Sequence, residues 1–164
     1  MKIATWNVNS LAVRLPQLLD WLALHQPDVL CLQETKLTDD KFPHAAITAA
    51  GYQVQWFGQK TYNGVALISR LPATDVVRNI PGHDDPQARV IAATVDGVRI
   101  IGVYIPNGQS VESEKFPYKL AWLTALRIYE RCRDALARLL GTRPSDETEI
   151  IRRSLEVPST IGPR

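Results

Sequence analysis

Cysteine, histidine, methionine and excess charge are all scarce in this chain. Its 164 residues include two Cys, three His and one Met, with a formal net charge of +2. Cysteines as far apart as Cys31 and Cys132 give neither a disulfide framework nor a metal-ligand spacing. Cys31 lies in an apolar run and is most simply a small buried hydrophobe. No run of 18 apolar residues exists, so no membrane span is expected. The start, Met1–Trp6, lacks the basic, apolar and small-residue pattern of a secretory leader. These absences point to a cytoplasmic protein without disulfides. A charge of +2 is too small to argue by itself for a nucleic-acid partner. Internal repeats and low-complexity tracts are missing too.

Hydrophobic residues make up 45% of the chain and charged residues 22%, which fits one globular domain with a core and excludes a disordered chain. The charge is unevenly placed. Residues 1–126 carry 11 basic and 11 acidic side chains, whereas residues 127–164 carry 8 and 6. The second segment therefore supplies the whole excess, and its basic residues are all Arg. A division at 126/127 is expected, with a helix continuing into a divergent tail.

Hydrophobic periodicity supplies the elements. Lys2–Asn7 reads as a strand with a polar end. Leu15–Gln26 has apolar residues at helical spacing, with Pro16 suited to a first turn. Val29–Gln33 is a short apolar run, the pattern of a strand covered on both faces. A short helix over Pro43–Ala50 ends at Gly51. Strands follow at Tyr52–Gln59, Gly64–Ser69 and Thr74–Asn79. Val90–Val95 and Val98–Tyr104 flank Asp96-Gly97, a two-residue hairpin signal. A helix runs from Lys115 to about Leu140, before Gly141 and Pro144. Glu149–Leu155 is a candidate short helix, and Pro158–Arg164 reads as a loose end. The order is β-α-β-α, then β, then α, which places the chain in the α/β or α+β class.

Two strands end in polar residues, giving Trp6-Asn7-Val8-Asn9 and Gln33-Glu34-Thr35-Lys36. A right-handed crossover through the intervening helix makes these strands parallel, with both C-terminal ends at one edge. Ligands bind at such edges. An amide and a carboxylate there can hold a hard divalent cation. The plainer alternative makes Asn7 a turn residue and pairs Glu34 with Lys36.

The segments MKIATWNVNSL, QPDVLCLQETKL, GQKTYNGVALISR, DDPQARVIAA and GVYIPNG occur in this order over residues 1–126. They resemble consecutive motifs of the exodeoxyribonuclease III family, within the endonuclease/exonuclease/phosphatase superfamily. The resemblance implies that Glu34 is a metal-binding glutamate and that Asn7, beside it, orients the site's carboxylates. Tyr104 corresponds to a tyrosine whose hydroxyl approaches the scissile phosphate. Lys60, Tyr62, Asn63 and Arg89 are implied contacts to DNA backbone, and Gly64 allows close approach of backbone to phosphate. Asn107 is expected to shape its turn. After the first motif the family often has a basic residue where this chain has Ala12, and Arg14 is a possible substitute. The implied activity is Mg²⁺- or Mn²⁺-dependent phosphodiester hydrolysis, at abasic sites and from 3′ ends of double-stranded DNA.

The resemblance also defines what is lacking. The family's Gly-Asp-x-Asn strand, a further Asp and a Ser-Asp-His segment have no counterpart here. Ser145-Asp146-Glu147 agrees with the last in two letters only, and His25, His44 and His83 do not occupy its place. His83, in PGHDDP, is expected in a surface loop. The implied fold is half of a four-layer α/β sandwich. One mixed β-sheet is expected, with helices covering one face and the other face bare, which suggests self-association. The chain is expected to be truncated and inactive alone. The alternatives are a non-catalytic half domain that grips DNA or a partner, and a phosphatase of the superfamily acting on small substrates.

Overall fold

The computed structural model describes residues 1–139. The expectations for Glu149–Leu155, Ser145-Asp146-Glu147 and Pro158–Arg164 lie outside them. Seven strands and three α-helices occur in the order β1 (Ile3–Asn7), α1 (Leu11–His25), β2 (Val29–Gln33), α2 (His44–Ala49), β3 (Gln53–Phe57), β4 (Val65–Ser69), β5 (Ala73–Arg78), β6 (Val90–Val95), β7 (Val98–Val103) and α3 (Lys115–Leu139). The position 126/127 falls inside α3, which runs through it unbroken.

The α/β class and the layered sandwich are as expected, but the number of sheets is not. Two sheets form instead of one, a four-stranded sheet ordered β1-β2-β4-β3 and a three-stranded sheet ordered β5-β6-β7. Burial explains the correction. All five residues of β4 and the first four of β2 are buried, so both faces of each strand need cover. Helices α1 and α2 supply it on one face, where Leu18, Leu22 and Ile47 meet Leu30, Leu32 and Ile68. The second sheet supplies it on the other, where Ile91, Ala93, Val95 and Ile100 meet Val29, Cys31, Val65 and Leu67. The far side of the second sheet packs on α3 through Val90, Trp122 and Leu126. Four layers therefore enclose three apolar cores. Each fully buried Leu or Ile contributes roughly 1.5–3 kcal/mol.

Pairing in the first sheet is mixed. β1 and β2 are parallel, with Asn7 opposite Gln33, and β4 is antiparallel to β2. The second sheet is an antiparallel meander, and its β6–β7 turn has Asp96 at φ 52° and Gly97 at φ 76°. Two positive φ values in a two-residue loop match the right-handed twist of the flanking strands.

The expected bare sheet face is also corrected. The second sheet covers β2 and β4, and what stays open lies beside it. β1 has no strand of the second sheet beneath it, and neither β1 nor β7 has an outer neighbour among the described residues. Between them runs a trough of about 840 Å³, lined by Ile3, Thr5, Ile101, Val103, Leu123 and Leu126 among others.

Helix α1 begins at Leu11, four residues before the expected start, which leaves Pro16 inside it. Leu11 is fully buried, and the Ser10 and Leu11 N–H groups donate to the carbonyls of Glu34 and Thr35 (2.8 and 3.0 Å). Tertiary partners thus hold a turn that the Pro16 ring alone would not have favoured.

Cys31 lies between the sheets, and its burial pushes the thiol up to about 12. Cys132 is exposed on α3. Mass spectrometry of native protein after brief treatment with a thiol reagent should find Cys132 labelled and Cys31 intact, with both labelled in denaturant. Rapid native labelling of Cys31 would show that the two sheets do not pack as described.

Candidate active site

The alternation of side chains along strands brings Asn7, Gln33 and Tyr104 to one mouth of the inter-sheet space. Asn7 and Gln33 end the paired strands β1 and β2. Tyr104 follows β7, packs against the inter-sheet core, and comes from the opposite sheet. Glu34 sits just beyond β2 at φ 55°. Its Oε1 accepts hydrogen bonds from Asn7 Nδ2 and from the Tyr104 hydroxyl, both at 2.8 Å. The second joins the two sheets across 70 residues of sequence.

The other carboxylate oxygen is engaged as well. Lys36 Nζ lies 3.0 Å from Glu34 Oε2 and donates to Asn9 Oδ1 at 2.5 Å. The Asn9 N–H donates to Asn7 Oδ1 at 3.0 Å. Asn7, Glu34, Lys36 and Asn9 therefore close a ring of hydrogen bonds. Glu34 thus meets Asn7 and also pairs with Lys36.

Backbone pairing fixes this ring. Val8 N–H donates to the Gln33 carbonyl (3.0 Å), Thr35 N–H to the Gly64 carbonyl (3.1 Å) and Lys36 N–H to the Asn63 carbonyl (3.0 Å). Asn9, Ser10, Glu34 and Lys36 all have φ between 42° and 88°. Non-glycine residues adopt this region rarely and at a cost.

The electrostatics follow from these contacts. Burial is the largest single influence on Glu34 and pushes its carboxyl up. Hydrogen bonds from Asn7, Lys36 and Tyr104, with the Lys36 charge, together outweigh it and hold the group below its ordinary value. Burial pushes the Tyr104 hydroxyl up, and its hydrogen bond to Glu34 and the Glu34 charge add to that. Arg89 pulls in the opposite direction.

The four residues expected to meet DNA divide into two pairs. Lys60 and Tyr62 are exposed on the β3–β4 loop, with Tyr62 68% accessible. Asn63 and Arg89 are buried, at 6% and 9%. Arg89 Nη1 donates to the Tyr104 carbonyl (3.2 Å), and the guanidinium lies 4.9 Å from the centre of that ring. Arg89 Nε and Nη2 share Gln87 Oε1 at 3.0 and 2.7 Å, and Asn63 Nδ2 reaches the same oxygen at 3.1 Å. No carboxylate within ion-pair distance accompanies Arg89 among the described residues. Asn107 shapes its turn, as expected, by accepting the Gln109 N–H at 2.9 Å.

Gly64 makes a close approach inside the protein. A Cβ on Gly64 would lie 2.2 Å from Thr35 Oγ1. Gln59 and Gln87, which no sequence expectation covered, join these contacts. Gln59 Oε1 accepts from Asn63 Nδ2 (2.9 Å) and from Ala88 N–H (3.0 Å). Both glutamines stand inside segments that resemble family motifs, and this is the one sequence signal that marked them. His83 stands in its expected loop but is only partly exposed, with Nε2 buried and unpartnered, and nearby Asp85 accepts from the Tyr118 hydroxyl at 2.9 Å.

The donors suit a hard cation in part. Glu34 provides one carboxylate, and one or two carboxylates with water and substrate phosphate commonly suffice for Mg²⁺. The described residues contain no group of three or more acidic, His or Cys ligands. Glu34 thus fits as a single anchor and not as a cage.

Comparison with known proteins agrees with this geometry. A family model described as the endonuclease/exonuclease/phosphatase family matches residues 4–149. The chain belongs to that family. Its relatives within the family are of the exodeoxyribonuclease III type. It is 36% identical over 135 residues to exodeoxyribonuclease III of Haemophilus influenzae, covering 79% of this chain and 51% of that protein. It is 32% identical over 134 residues to an exodeoxyribonuclease of Bacillus subtilis, covering 79% and 52%. A Neisseria 3′-phosphatase bound to a product DNA hairpin is similar in structure, with TM-score 0.79 and 55% identity over 84% of this chain and 53% of that one. An AP endonuclease of Archaeoglobus fulgidus follows with TM-score 0.76 and 42% identity, over 79% and 50%. The chain spans about half the length of these relatives and matches their N-terminal part.

Two measurements check the site. Gly64→Ala should lower stability by more than about 1 kcal/mol in chemical denaturation, because φ is +85° and Thr35 blocks the methyl. An unchanged midpoint would mean that the loop does not seat against Thr35. The second measurement uses pH. Because the folded carboxyl of Glu34 is held low, its stabilisation is present above the ordinary carboxylate value of about 4.3 and fades as pH falls below it. The stability advantage of the native chain over Glu34→Gln should therefore shrink between neutral pH and pH ~3. An advantage constant over that range would refute the charged hydrogen-bonded carboxylate.

Proposed function

We propose that this chain supplies one part of the active site of a DNA-repair nuclease of the exodeoxyribonuclease III type, acting by metal-assisted phosphodiester hydrolysis at abasic sites and 3′ ends. The observation that carries this reading is Glu34, held from one sheet by Asn7 and from the other by Tyr104. A carboxylate fixed on two sides suits a site where a metal anchor must not drift, since displacement by an ångström can cost about a hundredfold in rate.

Glu34 would hold Mg²⁺ or Mn²⁺, with Asn7 as its positioning partner. The metal, when bound, supplies charge neutralisation at the phosphate. Tyr104 presents its hydroxyl at the same carboxylate, from which its one proton can be turned to a phosphate oxygen instead. Lys60 and Tyr62 offer an exposed cation and ring to the DNA backbone, and Asn63 and Arg89 stand behind them. Backbone contacts of this sort position a duplex without reading its sequence, which suits a site where a base is missing. Residues 1–126 form the nuclease portion in this reading, and residues 127–164 continue α3 into a segment of different composition. The cytoplasm is the proposed compartment. Among the described residues no helix is long and apolar enough to cross a membrane.

Among the described residues no group of three or more Asp, Glu, His or Cys side chains gathers at Glu34. The trough beside β1 and β7 supports a companion polypeptide or a second copy lying there. A second chemistry is favoured by one finding, the 55% identity to a structure described as a 3′-phosphatase with product DNA. Removal of a 3′-phosphate from a DNA end uses the same anchor and the same backbone contacts.

The test is cleavage of duplexes carrying an abasic site, a recessed 3′ end or a 3′-phosphate, with Mg²⁺ and a chelator control. The chain alone should leave all three intact. Addition of the C-terminal half of a full-length relative should restore Mg²⁺-dependent turnover of at least one, and Glu34→Ala should then remove it by about a hundredfold or more. Unaided cleavage that Glu34→Ala abolishes would overturn the division of the site. A stable complex with the added half that cleaves none of the three would favour the non-catalytic half domain.

A further inference from the structure

We infer that Lys36 is a built-in counter-cation whose ammonium, seated on Glu34 Oε2, opposes a divalent metal on the same oxygen, so that the lysine must yield when the metal binds. The inference rests on the reading of Glu34 as a metal anchor.

A carboxylate offers about four lone-pair directions, two on each oxygen. Both on Oε1 are taken, by Asn7 Nδ2 and the Tyr104 hydroxyl at 2.8 Å each. Among the described residues Oε2 accepts only the Lys36 ammonium, at 3.0 Å. The free direction for a metal is therefore the one beside Lys36. A dication about 2 Å from Oε2 would stand roughly 4 Å from Nζ, and repulsion between a double and a single charge at that distance costs roughly thirtyfold in affinity even with the screening of water. Metal and ammonium cannot both keep their best position.

The ring gives the lysine a way to yield. Its second hydrogen bond, 2.5 Å to Asn9 Oδ1, is independent of Glu34. Asn9 is itself fixed through its N–H on Asn7 Oδ1. Lys36 can release Oε2 and remain tethered at Asn9, within reach of the site. The side chain is 28% accessible, so the swing has room on the solvent side. Without metal, the ammonium keeps Glu34 ionised and aimed. With metal, it is displaced by one hydrogen bond and no further.

Binding of Mn²⁺ to the full chain, read from the electron paramagnetic resonance signal of the free ion, tests this without reference to catalysis. Lys36→Met and Lys36→Gln should each bind Mn²⁺ roughly thirtyfold more tightly than the native chain. Lys36→Arg, which keeps the charge, should stay within about twofold of it. Glu34→Gln combined with Lys36→Met should lose the gain. Circular dichroism melts establish that each variant folds, and the glutamine variant stands in if the methionine variant does not. Unchanged or weaker binding in the neutral variants, with Glu34→Gln still weakening the native chain, would overturn the role of Lys36 alone. Mn²⁺ binding indifferent to Glu34→Gln would overturn the anchor reading, and the inference with it.

Discussion

The hydrogen bond from Tyr104 to Glu34 holds the site together, because its two ends belong to different sheets. Glu34 follows a strand of the first sheet and Tyr104 a strand of the second, and the 2.8 Å contact forms only when those sheets stack in register. The apolar contacts of Cys31 and Leu67 with Ile91 and Ala93 set that stacking. The site geometry is thus a readout of core packing one layer below it. A core substitution that shifts the sheets by a fraction of an ångström reaches the carboxylate directly, since close-packed interiors transmit strain instead of absorbing it.

Around that bond the polar groups form one connected system. Asn63 meets Gln87, Gln87 meets Arg89, and Arg89 lies against Tyr104, which meets Glu34. Two glutamine side chains make the junctions, each accepting more than one N–H. An amide oxygen in that place satisfies buried donors without cancelling the guanidinium charge. A carboxylate would satisfy them equally well and would neutralise Arg89.

Much of the fold was legible because it depends on local rules. The run Val29–Gln33, the turn at Asp96-Gly97 and the helix from Lys115 are set by periodicity and turn chemistry, and they fall within a residue or so of their expected places. Asn7 and Glu34 were legible for a related reason, since two parallel strands joined by a helix must end at one edge. The stacking of the sheets was not legible. β6 is apolar on both faces, and composition does not say whether its second partner is a helix or another sheet. Arg89 and Gln87 were opaque because their roles depend on which chain segment passes overhead. Proximity of residues 34 and 104 is likewise absent from any local pattern. The helix start at Leu11 was hidden by Pro16, whose usual preference yields to the pairing of Ser10 and Leu11 with the Glu34–Thr35 segment.

The left-handed backbone at Asn9, Ser10, Glu34 and Lys36 has a bearing on protein engineering. Each of these positions stores roughly 1 kcal/mol or more of conformational cost, and glycine would relieve it at any of them. A search for thermostable variants by backbone relaxation would therefore select positions 9 and 36 early. Those are the two positions whose side chains close the ring around Glu34. Robustness and chemistry are set against each other here in two side chains, and a more stable form of this protein obtained by that route would have lost the cation on the carboxylate's second oxygen.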